Sequence, residues 1–139
     1  MTTLRLLTLS ALIFATTDAA AHADYRCKVE RIHTAQGEGP ASLVHGERKT
    51  WIGKEFSVSR RTGAMSGPLR NNYATEPTVI DPGSKENSFK AISILRPNEV
   101  GSGSAVYTLV INEYVEGSKK PFAFMSSDVV YFGACWHDK

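Results

Sequence analysis

Long apolar stretches are almost missing from this chain. The one run it has, Leu6 to Ala15, falls short of the roughly 20 residues that a bilayer-spanning helix takes, so no membrane span is expected. Cysteine is nearly missing too. The two present, Cys27 and Cys135, lie far apart, which excludes the C-x-x-C spacing of a redox pair or a thiolate zinc site. His33, His45 and His137 do not fall at the i, i+2 or i, i+4 spacings that turn two imidazoles onto one metal. Neither sign of charge dominates: 16 Lys and Arg face 14 Asp and Glu, mixed along the whole length. A formal net charge of +2 gives no reason to expect nucleic acid.

The signatures of catalysis are lacking as well. A nucleophile needs an oriented base within reach, yet no serine stands in G-x-S-x-G and no histidine closes an apolar strand pattern. The loop Gly101-Ser102-Gly103-Ser104 leads into a strand pattern rather than a helix, so it has no helix terminus to cradle phosphate. Asp81 and Glu86 flank one turn and Glu113 and Glu116 another, positions where carboxylates are ordinarily solvated. The chain therefore reads as a non-enzyme with no catalytic residue, no metal and no cofactor.

What is present begins with a targeting pattern. Arg5 precedes the apolar run, and small residues end in Ala21-His22-Ala23, an A-x-A cleavage site. Residues 1–23 read as a signal peptide and residues 24–139 as a single β-rich domain of about 116 residues; a cut after Ala21 is the alternative. The expected location is the periplasm or the outside of the cell. In that oxidising setting Cys27 and Cys135 read as one disulfide. Closing a loop of about 100 residues contributes up to roughly 4.7 kcal/mol in the chain-entropy description. It also requires the first and last strands to lie side by side.

Strand patterns fill the mature chain. Tyr25, Cys27 and Val29 alternate with Arg26, Lys28 and Glu30, giving a first strand with its cysteine facing inward. From Thr34 to Thr50 periodicity gives way to a long loop with a helical turn around Ala41 to Val44. Lys54 to Gly67 alternates through Phe56 and Val58, turns at Thr62-Gly63 and resumes, a β-hairpin. Short strands follow at Thr78 to Ile80, Ser88 to Leu95, Ala105 to Val115, Phe122 to Met125 and Val129 to Cys135, with residues 136–139 as a tail. About seven or eight short strands with no convincing helix predict an all-β fold, a small antiparallel meander closed as a barrel or sandwich.

The candidate contact residues are Ser102, Gly103, Ser104 and Tyr107, as an interaction loop, and Lys119 with Lys120 at a hairpin tip. Tyr25-Arg26-Cys27 and Ser102-Gly103-Ser104-Ala105-Val106-Tyr107 resemble the Tyr-x-Cys start and Ser-Gly-x-x-Tyr loop of small exported barrels that inhibit lysozyme, with one residue more before the tyrosine. A broader resemblance rests on Phe56-x-Val58-x-Arg60-x-Thr62-Gly63-x-x-x-Gly67, Gly83-Ser84-Lys85-Glu86-Asn87-Ser88-Phe89-Lys90-Ala91, Glu116-Gly117-x-Lys119-Lys120-Pro121-Phe122 and a terminal Gly-x-Cys135. These are similar to a set of uncharacterised small exported β-rich proteins of Gram-negative bacteria. That resemblance implies a signal peptide and a β-rich domain, and no activity or site residue. The functional expectation is a binding or interaction module for an unidentified envelope protein or small ligand. An inhibitor of lysozyme-type hydrolases is the alternative, and an enzyme of unknown reaction comes after it.

Overall fold

A computed structural model describes residues 24–34, 49–73, 75–99 and 101–138. They form eight strands: β1 Tyr25–Thr34, β2 Glu55–Val58, β3 Met65–Ser66, β4 Thr78–Pro82, β5 Phe89–Leu95, β6 Ala105–Ile111, β7 Lys120–Ser126 and β8 Val129–His137. All pair antiparallel in one sheet of order β3-β2-β1-β8-β7-β6-β5-β4. The predicted signal peptide and the predicted helical turn near residue 41 lie outside the described residues. A helical turn at residues 49–51 leads into β2.

The all-β meander is as predicted, but its closure differs. The sheet is curled into an open half-barrel, with β3 and β4 as its two edges and no ladder between them. β3 has two residues, and β4 ends in a proline and carries an irregularity between Val79 and Asp81, so neither edge offers a run of amides for pairing. Side chains bring the two ends together instead. Gly63, at φ 76°, sits so close to β5 that a Cβ there would lie 2.7 Å from the Ala91 Cβ.

Alternation decides which face each side chain takes. Tyr25, Cys27, Val29, Phe56, Val58, Phe89, Leu109, Phe122 and Phe124 point into the concave face and are buried. Large rings fill that face: Trp51 packs edge-on to Tyr131, Tyr131 stacks on Phe124, and Phe124 stacks on Tyr107, whose ring is 5.7 Å from Tyr73. Cys27 and Cys135 are register partners in the β1–β8 ladder and are joined as a disulfide, with Cα atoms 3.9 Å apart.

β4 runs on to Pro82 and β7 already begins at Lys120, and two further boundaries depart from the sequence expectation. β6 stops at Ile111, because the chain turns there and Lys120 Nζ donates to the carbonyls of Glu113 and Val115 at 2.9 and 2.6 Å. β8 continues past Cys135 to His137, and the Asp138 amide donates to the Asp24 carbonyl at 2.7 Å. The expected tail is therefore a strand end, held by ladder bonds to the start of β1.

Candidate functional site

Two features of the molecule exceed what folding alone asks for. The first is a polar cluster where the ends of the sheet meet. Tyr25 on β1 and His137 on β8 are register partners with rings 5.1 Å apart, and the chain after β6 places the Glu113 carboxylate against both. The Tyr25 hydroxyl donates to Glu113 Oε1, and His137 Nε2 lies 3.2 Å from the same oxygen. Arg60, from the β2–β3 turn, sets its guanidinium 5.3 Å over the Tyr25 ring and 4.0 Å from Glu113. Arg60 Nη2 also donates to the Pro82 carbonyl at 2.7 Å, at the end of β4. The Glu113 carboxylate thus ties together β1, β8 and the β2–β3 turn, and Arg60 carries the clasp on to the end of β4.

Burial pushes the Tyr25 hydroxyl far above the usual phenol range, and the hydrogen bond to Glu113 and its charge add to the effect while Arg60 opposes it. The phenol therefore stays a donor. An unfolded tyrosine ionises near pH 10 while Tyr25 in the folded chain does not. Its contribution to stability is full below about pH 10 and declines as pH rises beyond it. Urea unfolding between about pH 8 and pH 11 is expected to show Tyr25→Phe less stable by about 1–3 kcal/mol at the lower end, with a shallower alkaline decline. Parallel curves for the two proteins would contradict this. Tyr107, raised by burial and then by Tyr73, adds a decline of the same sign in both. Chemically the cluster is closed on itself, since Tyr25, Arg60 and His137 all direct polar atoms at one carboxylate. Its geometry is that of a structural clasp. Only His137 reaches outward, into an open groove of about 410 Å³ lined with Ser118, Lys119 and Trp136.

The second feature is the outer, convex face of β5–β8. The register aligns Ile92, Thr108, Met125 and Val130 in one row across the four strands, and the next β1 residue in line is His33. The neighbouring row runs Lys90, Val110, Ala123, Phe132 and ends at Arg31 on β1. Pro121 and Ala134 lead to Lys28, and Trp136 stands beside Arg26. Ile94 and Val106 pair at the far corner. Val106, Ile94 and Met125 keep 40, 37 and 37 % of their surface exposed. These strands are apolar on both faces, a pattern that calls for cover on each side.

The residues singled out by sequence fall in different places. Ser102, Gly103 and Ser104 are exposed in the β5–β6 loop, but Tyr107 points inward from β6 and is committed to the ring stack. Lys119 is exposed at the opposite end of β6, and Lys120 is a half-buried cap of turn carbonyls. Loop and lysines do not converge. Sequence reasoning missed Glu113, read as a solvated turn carboxylate, and His137, read as a frayed tail. The signal for His137 lay in the cysteines: if Cys27 faces Cys135 in an antiparallel ladder, residues two before and two after must also face each other, and these are Tyr25 and His137. Against family models, characterised proteins and solved structures, the chain has no match.

Proposed function

We propose that the chain is an exported interaction module that holds a partner protein against the outer face of β5–β8. The observation that carries this reading is the presence of apolar side chains on both faces of four adjacent strands. An antiparallel sheet that turns one face to water ordinarily alternates apolar with polar residues, whereas this outer face presents Ile, Val, Met, Phe and Trp. Contiguous exposed apolar area of this kind marks contact surfaces in folded proteins. The disulfide fits an oxidising compartment, and among the described residues no helix is long and apolar enough to cross a membrane. The concave face, which a small apolar ligand would need, is packed with its own aromatic rings.

The test is paired affinity capture from an envelope extract, using the oxidised domain and its Val106→Asp/Met125→Asp variant. Both positions are exposed, so the variant is expected to melt within about 2–3 °C of the native domain. A protein retained by the native domain and depleted at least tenfold on the variant is the expected result. Equal retention by the two, or retention of nothing, would overturn the reading.

A further inference from the structure

We infer that the occupant of the outer face is an amphipathic helix of a partner protein whose apolar stripe is flanked on one side by carboxylates. The inference rests on reading that face as the contact surface. Its first support is how the rows end. Each apolar row of β8 runs into a basic residue of β1: Val130 into His33, Phe132 into Arg31, Ala134 into Lys28 and Trp136 into Arg26. All four are exposed, and Arg26, Lys28 and Arg31 give this border three positive charges against the one carboxylate of Glu30, which bulges out between Lys28 and Arg31.

The cations differ in how far they are already matched. Arg26 has Asp138 at 3.6 Å, while among the described residues neither Lys28 nor Arg31 has a carboxylate within ion-pair distance. The Arg31 guanidinium lies 5.5 Å over the Phe132 ring. That stacking occupies the flat side of the group and leaves its N–H edge free to fork onto a carboxylate. On the opposite flank Lys90 is held by Asp81 at 3.5 Å. Complementarity therefore asks for acid along one side of the partner's stripe and not the other.

Shape selects a helix. Strand addition is blocked, because β3 has two residues and β4 carries a proline and a register irregularity. A helix laid along β8, whose nine residues cover about 30 Å at the usual rise per strand residue, runs for roughly five turns with one side against β1. Helix on sheet is also the regular way to cover an apolar sheet face. A flat bilayer, by contrast, touches a convex sheet only along a narrow strip.

The probes are two synthetic helix-forming peptides of about five turns with the same Leu stripe, one flanked by Glu and the other by Lys. Binding to the oxidised protein is followed by fluorescence anisotropy at low salt. The Glu peptide is expected to bind at least tenfold more tightly than the Lys peptide, and Lys28→Glu/Arg31→Glu to reverse that order. Val106→Asp/Met125→Asp is expected to lose both. Equal affinity for the two peptides would overturn the acidic partner while leaving the contact face standing, whereas binding of neither would overturn the face itself. Binding to phosphatidylglycerol vesicles without peptide preference would replace the helix with a lipid surface. Self-association that Met125→Asp abolishes would replace it with a second copy of this chain.

Discussion

Gly133→Ala is expected to remove most of the stability of this domain, by at least about 4 kcal/mol. Val29 pairs with Gly133 and Arg31 with Phe132, so Glu30 is an extra residue bulged out of β1 at that point. The bulge drives the Lys28 carbonyl down onto Gly133, where a Cβ would lie 1.9 Å from that oxygen and 2.9 Å from the Phe122 ring. Neither obstacle can swing aside. The carbonyl belongs to a backbone locked on its other side, where Val29 exchanges hydrogen bonds of 3.0 and 2.8 Å with Lys54 and Gly53. Relief requires undoing the bulge, and that would shift β1 by one residue against β8 and turn its buried residues outward. Domains of this size have about 5–15 kcal/mol in total.

In a thermal melt of the oxidised protein the expected fall is about 15 °C or more. The control is Gly103→Ala, where a Cβ meets nothing within 4 Å, with an expected change within about 2 °C. A fall of less than about 5 °C at Gly133 would show that the bulge relaxes locally.

That bulge illustrates where the sequence was readable and where it was not. Alternation in Tyr25 to Val29 and in Phe56 to Val58 places their side chains correctly on the concave face, and Gly63 marks its turn, because short-range periodicity and turn chemistry are local properties. The cysteine pair correctly brings the first and last strands together. Closure was misread, since whether β3 meets β4 depends on strand lengths and curl summed over eight strands. Glu113 was misread for a similar reason. A carboxylate two residues past a strand looks solvated until residues 88 positions before it and 24 after it are folded against it. The outer face was half legible: the Ser88 to Leu95 pattern shows apolar residues on both sides, but one strand cannot show that its three neighbours do the same. The alignment of cations on β1 with apolar residues on β8 is a property of register, fixed by the disulfide and the bulge together.

Glu113→Leu is expected to be the other severe substitution, with a loss of about 3–5 kcal/mol and a fall in Tm of more than about 10 °C. The side chain is 8 % exposed and its removal strands two groups at once. The Tyr25 hydroxyl loses its acceptor in the core, and Arg60, itself 12 % exposed, keeps a buried charge with no carboxylate beside it. The cost is thus that of leaving partners unmatched, and it separates from the cost of losing the ion pair. Glu113→Leu/Arg60→Met removes both charges and is expected to be more stable than Glu113→Leu alone by about 1 kcal/mol or more. A double variant as unstable as the sum of the single ones would show that Arg60 acts through its bond to the Pro82 carbonyl instead. The consequence reaches the outer face, because the clasp joins the β2–β3 turn to the end of β4 and thereby sets how tightly the sheet is curled. Loosening it flattens the row from Lys90 to Arg31. Peptide binding by Glu113→Leu is therefore expected to weaken at temperatures where circular dichroism still shows a folded sheet.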